Sequence, residues 1–310
     1  MQINNSHPNL RINLAGIRLA HPFMNASGVV SSSPGLIRRL IVEGGCSAVV
    51  TKSITPKPRL GNNPPILVKL PCGGYINAVG LENPGKEIIR SIVSVGLELG
   101  VPVIVSVAGS SADEYLEVSI EAEEAKASAV ELNLSCPHTE GYGLVFGQDP
   151  EATKYITGMV SSVLKIPVIA KLGPSDNIVK IAGKALEAGA KALTISNTIK
   201  AMIIDVYTGR PVLTNIYGGL SGPPLHPVAV KLIYEVYSEL EPLIIGAGGV
   251  VNGESALEMI FAGASAIQVG SAIIDRGIGV LREILHEFEE LLVKLEISDL
   301  GQCVGLAHRL

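Results

Sequence analysis

Short apolar, β-branched runs recur along the chain, separated by stretches of helical period. The runs begin at Pro22 (PFMNASG), Ala48 (AVVTKSI), Val101 (VPVIVSVAG), Ala129 (AVELNLS), Pro167 (PVIAKLG), Ala192 (ALTISNT), Leu243 (LIIGAGG) and Ala266 (AIQVGSA). Most are continuously apolar rather than alternating, the pattern of strands buried on both faces. Between them SADEYLEVSIEAEEAKAS, NIVKIAGKALEAGA and GESALEMIFAGA repeat their apolar residues at helical spacing. The last two close in Gly-Ala just before the next strand, a natural helix stop. Eight strands alternating with helices predict an α/β fold, a (β/α)8 TIM barrel, with residues 1–310 forming a single domain. An open doubly wound sheet is the alternative, and there the strand ends would spread along a line at about 4.8 Å per strand. In a barrel they converge. The runs end in Ser27, Lys52, Ser106, Asn133, Lys171, Asn197, Gly248 and Gly270, and polar or glycine chemistry at every C-terminal end suits a shared mouth.

Three connections are too long for simple turns: Thr55 to Pro84, Cys136 to Gln148 and Ile199 to Pro224. All follow C-terminal strand ends, where barrel enzymes place their substrate loops. Ahead of the first strand, LRINLAGIRLA alternates as an N-terminal β-hairpin should and is placed at the barrel floor.

Composition narrows the class. Of 310 residues, 47% are apolar and only 17% charged, which excludes an intrinsically disordered chain. No apolar run reaches the length of a membrane span, and the first residues lack the pattern of a signal peptide. A net charge of −5 without a basic block argues against nucleic acid as a partner. The four cysteines, Cys46, Cys72, Cys136 and Cys303, form no CxxC pair. No metal site is expected, and the expected compartment is the reducing cytoplasm.

The candidate chemistry lies at the strand ends. GAGGV (Gly246 to Val250) and VGS (Val269 to Ser271) close the last two strands, where barrels often bind phosphate on backbone N–H groups. Either motif alone is an ordinary strand-to-helix turn; with GGLSGP (Gly218 to Pro223) they suggest a phosphate site. Lys52 and Lys171 stand within otherwise apolar strand ends, where each ammonium needs an anionic neighbour or a route to water. Two of them at one mouth favour an anionic ligand or an electron-rich cofactor ring. In ELNLSCPH, Asn133 ends a buried strand and Cys136 follows in a loop. A lone cysteine is most often a small buried hydrophobe, but beside a barrel mouth Cys136 becomes a candidate proton acceptor.

The ordered set Asn25-Ala-Ser-Gly28, Thr51-Lys-Ser53, Asn77-Ala-Val-Gly-Leu-Glu-Asn-Pro-Gly85, Asn133-Leu-Ser-Cys-Pro137, Lys171-Leu172, Asn197-Thr198, Gly218 to Pro223, Gly248-Gly249 and Gly270-Ser271 resembles the class 1 dihydroorotate dehydrogenases. The likeness is greatest to the 1B type, whose catalytic chain works with an electron-transfer subunit. The resemblance implies one FMN per chain and oxidation of dihydroorotate to orotate in de novo pyrimidine (UMP) biosynthesis. Carried over, Ala26, Ser27, Lys52, Ser53, Asn133, Lys171 and Ile195 line the flavin, and Gly222, Gly248, Gly249, Gly270 and Ser271 hold its phosphate end. Substrate meets Lys52, Asn77, Val79, Gly80, Leu81, Asn133, Asn197 and Thr198. Cys136 takes the C5 proton while the flavin takes the C6 hydride. FAD and an iron–sulfur cluster belong, in this type, to the separate partner subunit. The implied assembly is a homodimer or a heterotetramer with that partner.

Two positions depart from the family pattern. Ser106, carried over as a further flavin contact, stands where relatives usually carry an Asn, and His138 replaces the Asn that commonly follows Cys-Pro. CPH with GQDPE (Gly147 to Glu151) also resembles the flavin barrel of dihydropyrimidine dehydrogenase, so uracil or thymine reduction is the runner-up. NAVGLENPG, similar to the orotate-carboxylate loop, speaks for dihydroorotate. A non-catalytic flavin-barrel subunit is the alternative from another class, and intact Lys52, Asn133 and Cys136 argue against it. Cys72, just before Asn77, is the rival base.

Overall fold

A ring of eight parallel strands organises the chain. A computed structural model describes residues 7–134 and 147–309. The strands are β1 (Phe23–Asn25), β2 (Val49–Val50), β3 (Val103–Val107), β4 (Ala129–Asn133), β5 (Val168–Leu172), β6 (Ala192–Ile195), β7 (Ile244–Ala247) and β8 (Ala266–Val269). From β2 to β8 each strand pairs with its sequence neighbours in the series, and β8 returns to β1. The seam between β1 and β2 is closed by the Met24–Ala48 bridge. Asn25 completes it with its side chain, accepting from the Val50 N–H at 3.0 Å and donating to the Val50 carbonyl at 2.8 Å. The expected barrel is thus what forms.

Helices α1 (Pro34–Val42), α2 (Ile89–Leu99), α3 (Ala112–Glu124), α4 (Pro150–Val163), α5 (Ile178–Glu187), α6 (His226–Leu240), α7 (Gly253–Phe261) and α8 (Val280–Lys294) follow the strands in turn. Local chemistry starts several of them: Ser111 caps α3, Asp149 precedes Pro150 at α4, and Asn252 forms a reciprocal capping box with Ser255 at α7. No helix among the described residues is long and apolar enough to cross a membrane.

Strand side chains alternate between two environments, as the two-residue period requires. Val105, Val130, Ala170, Leu193 and Ile267 face the helices in the large outer core. Met24, Val50, Ile104, Ala129, Ile169, Ala192, Ile245 and Ala266 fill the barrel bottom, plugged from below by Leu14, Ile17 and Leu19 of the N-terminal hairpin (Ile12–Leu14 with Ile17–Leu19). Two residues further along each strand, the next inner layer reads Ala26, Lys52, Ser106, Glu131, Lys171, Thr194, Ala247 and Gln268. The interior turns from wholly apolar to largely polar in one step of the period.

The long connections build a roof. Strands Leu67–Lys69 and Tyr75–Asn77 from the first join Ile199–Met202 and Tyr217–Ser221 from the third in one antiparallel four-stranded sheet. Asn77 stands opposite Gly219.

Candidate active site

Between the polar inner layer and the roof lies a cavity of about 340 Å³, a size typical of small-molecule sites, roughly 300–1,000 Å³. Of the residues singled out in the sequence, Ala26, Ser27, Lys52, Ser53, Asn133, Lys171, Gly222, Gly248, Gly249, Gly270 and Ser271 line it. So do Asn77, Val79, Gly80, Leu81, Asn197 and Thr198. Two do not reach the lining with their side chains. Ile195 points outward into the core beneath the helices, because it alternates with the inward-facing Thr194. Ser106 is fully buried and meets the hydroxyl of Ser53 at 3.0 Å. Cys72 is exposed in the turn between the two flap strands and is not among the lining residues. Cys136 and His138 lie outside the described residues.

The floor is a closed set of polar contacts. Lys171 donates to the Gln268 carbonyl oxygen at 2.8 Å, and Gln268 in turn donates to Glu131 at 2.6 Å. Thr194 donates to the same carboxylate oxygen at 2.7 Å, and the other carboxylate oxygen faces the Lys171 ammonium at 3.6 Å. Glu131 is 0% exposed and Lys171 5%. The Gln268 amide orientation follows from its partners, since lysine only donates and carboxylate only accepts. Sequence reasoning paired neither of these residues with Lys171. Glutamate, lysine, threonine and glutamine each occupy the inward phase of their own buried strand, and the barrel register brings them into one layer.

A second chain of contacts runs around the mouth. Ser27 meets Ser53 at 3.3 Å, and Asn133 donates to Ser53 at 2.9 Å while accepting from Asn197 at 3.2 Å. Asn133 is held further by Tyr115, whose hydroxyl donates to its backbone carbonyl at 2.8 Å. Lys52, by contrast, has among the described residues one carboxylate partner, the exposed Glu82, 3.7 Å away. Its ammonium is therefore available to an incoming anion.

At the opposite end the wall is backbone. Gly249 adopts φ +73°, and a Cβ there would lie 2.6 Å from the Gly222 carbonyl oxygen and 2.7 Å from the His226 Cβ. At Gly222, φ +91°, it would lie 2.5 Å from the Gly74 Cα. Only glycine lets these segments approach so closely. His226, which sequence reasoning passed over, bridges the Gly248 carbonyl and the Glu258 carboxylate, each at 3.0 Å. It pins the Gly248–Gly249 turn from beneath.

The roof is latched to the short helix Ser271–Arg276 after β8. Asp275 accepts from Lys69 and, at 2.7 Å, from the Tyr75 hydroxyl. The hydrogen bond from Lys69, seconded by that from Tyr75, holds the Asp275 carboxyl below the usual carboxylate range. The same contact raises the Tyr75 phenol and the Lys69 ammonium.

A narrow backbone cradle at one end, a lysine-bearing polar floor and a carboxamide-lined mouth fit a phosphate-bearing planar cofactor with a small anionic substrate above it. The sequence profile described as dihydroorotate dehydrogenase matches residues 9–292. An Aeropyrum pernix protein provisionally named dihydroorotate dehydrogenase A (fumarate) is 49% identical over 305 residues, 98% of this chain and 99% of its own. A Thermoplasma volcanium protein, the catalytic subunit of dihydroorotate dehydrogenase B (NAD(+)), is 43% identical over 295 residues, 95% of this chain and 97% of its own. Among solved structures, the DHODH of Eimeria tenella in complex with ferulenol superposes with a TM-score of 0.84 at 25% identity, covering 99% of this chain and 90% of that one.

Proposed function

This chain belongs to the dihydroorotate dehydrogenase family, and from that premise we propose how its cavity oxidises dihydroorotate to orotate in pyrimidine biosynthesis. The observation that carries the reading is the convergence of Lys52, Asn77, Asn133, Asn197 and the glycine cradle on one cavity. The cofactor is FMN, its phosphate end in the cradle of Gly222, Gly248, Gly249, Gly270 and Ser271. Ala26, Ser27, Lys52, Ser53, Asn133 and Lys171 flank the ring, with Ser106 supporting Ser53 from below and Ile195 contributing backbone. FMN, when bound, supplies the acceptor for the hydride leaving C6.

Lys52 meets the substrate carboxylate, and the carboxamides of Asn77, Asn133 and Asn197 offer both donors and acceptors to the pyrimidine imide. Thr198 and the backbone of Val79, Gly80 and Leu81 complete the binding surface. Cys136 removes the C5 proton, so that the C5=C6 double bond forms as proton and hydride leave opposite faces. We propose a cytoplasmic enzyme; no helix among the described residues is long and apolar enough to cross a membrane.

The electrons need a further acceptor. The chain works as the catalytic subunit beside an electron-transfer partner carrying FAD and an iron–sulfur cluster, with NAD as the final acceptor, and pairs with itself. The name of the Aeropyrum pernix relative favours a second reading in which fumarate reacts at the same cavity.

Anaerobic dihydroorotate added to the purified flavin-loaded chain should bleach the flavin spectrum. Cys136→Ala should slow that bleaching by about 10²–10⁴-fold while retaining flavin and orotate. Heat-released flavin that runs as FAD, or bleaching that survives in Cys136→Ala and fails in Cys72→Ala, overturns the assignment. Supplied with dye, NAD or fumarate in turn, the isolated chain should reduce the dye; efficient fumarate reduction would select the second reading.

A further inference from the structure

We infer that Glu131 is a positioning residue that acts through Lys171: a buried counter-charge that restrains how strongly the cavity floor favours reduced flavin. The inference rests on the flavin reading above and adds a residue that touches neither cofactor nor substrate. Glu131 is not among the cavity's lining residues, whereas Lys171 and Gln268 are.

A carboxylate placed at the centre of an apolar barrel costs far more than an apolar residue unless it is paired and hydrogen-bonded. Directly beneath it Ala129, Ile169 and Ala192 fill the bottom layer without polar atoms. Apolar packing alone would have closed the next layer as well. Instead four strands contribute Glu131, Lys171, Thr194 and Gln268, and three of these converge on the carboxylate. Thr194 and Gln268 both donate to one oxygen, which holds the carboxylate plane and leaves its other oxygen facing the ammonium at 3.6 Å. Among the described residues that oxygen has no hydrogen bond of its own, and the lysine's charge faces it. Gln268 donates to Glu131 and accepts from Lys171, so the two ionic groups are tied both directly and through one amide.

The consequence is electrostatic. Lys171 borders the cavity and Glu131 lies behind it, so a ring on the floor feels a cation whose field is partly cancelled from below. In a buried site such charges are screened less than in water, at an effective dielectric of about 20 rather than about 80. An unopposed cation would stabilise negative charge gained on reduction more strongly. Glu131 lowers that preference and fixes where the ammonium sits.

The test is the two-electron potential of bound flavin, measured by anaerobic dye equilibration, with flavin affinity measured alongside. The expected order, from highest potential to lowest, is Glu131→Gln, wild type, the double variant Lys171→Met/Glu131→Gln, then Lys171→Met. Glu131→Gln should favour reduced over oxidised flavin at least tenfold more than wild type, about 30 mV for a two-electron couple. Sulfite, which places negative charge on flavin, should bind it at least tenfold more tightly. Glu131→Asp, which keeps the charge, should stay nearer to wild type than Glu131→Gln does. Should Glu131→Gln fail to fold, the double variant removes both charges together and must still lie below wild type and above Lys171→Met. Potentials for Glu131→Gln within twofold of wild type in that ratio, or shifted downward, overturn the inference. A wild-type chain that takes up no flavin overturns the cofactor reading instead.

Discussion

The floor and the roof of the cavity are built in opposite ways. Floor residues come from alternate positions of parallel strands, are buried, and pair with one another: Thr194 and Gln268 donate to one Glu131 oxygen while the other faces the Lys171 ammonium. Roof residues come from two connections far apart in the chain and are held by backbone pairing, a small apolar cluster around Ile76, Ala78 and Leu213, and a latch at Asp275. The lysines show the contrast most clearly. Lys171 is bound to a carboxylate with no access to water, while Lys52 leans toward an exposed one. The same cavity thus holds one lysine paired to a buried carboxylate and another whose carboxylate partner is exposed.

The contrast breaks first at the lysines. Lys171→Met leaves Glu131 buried and unpaired, which should cost about 3–5 kcal/mol of stability. Lys52→Met removes an ion pair with an exposed partner and should cost less than about 1 kcal/mol, while weakening orotate at least tenfold through the lost carboxylate contact, worth roughly 1.5–3 kcal/mol. Urea denaturation and orotate titration of flavin-loaded protein check both, and equal stability losses would erase the distinction between the two sites.

A step smaller is the cradle. Gly249→Val puts a branched side chain where even a Cβ meets the Gly222 carbonyl oxygen at 2.6 Å, and overpacking of this kind costs about 1–3 kcal/mol. Flavin content after purification should fall sharply. Full occupancy would place the phosphate elsewhere.

The roof latch should give the smallest effect. Asp275→Asn loses an exposed ion pair, and flap opening, read by hydrogen exchange across 67–77, should rise by at most about fivefold. The sign with pH follows from the shifts. Because the folded Asp275 carboxyl titrates below its usual range, the latch is fully present above that range and is lost as pH falls through the lowered value. The Lys69 ammonium, raised, holds its end until pH climbs past the usual lysine range. Exchange that is flat on acidification would remove Asp275 from the latch.

Strand count, the barrel and most of the lining were legible because two physical rules act locally. Continuous apolar runs mark buried parallel strands, and C-terminal ends such as Lys52, Asn133 and Gly248 carry what the mouth needs. The Glu131 network was not legible as a unit. Its members are separated by up to 137 residues, and only the barrel register brings them into one layer. Within ELNLS, Glu131 stands beside Asn133, which the mouth claims, and nothing local says that the glutamate turns to lysine and glutamine. The roof escaped for a similar reason. Leu67–Lys69 and Tyr75–Asn77 are short strands whose partners lie in another connection, so alternation within either segment could not reveal the pairing. Ile195 shows the limit of reading by position, since its side chain packs outward into the core and leaves only its backbone on the inner side of the strand.

Strand Tyr217–Ser221 pairs at Gly219 with Asn77 and then runs directly into Gly222. One extended segment therefore belongs to both ends of the cavity. In the proposed reading, ordering its tail around a phosphate also fixes the strand against which Asn77 is aligned for substrate. Binding free energies linked in this way are reciprocal: the factor by which bound cofactor tightens orotate is the factor by which orotate tightens the cofactor. Titrating each ligand in the presence and absence of the other closes a thermodynamic square, and the difference between its parallel sides is the coupling between the two ends of the cavity.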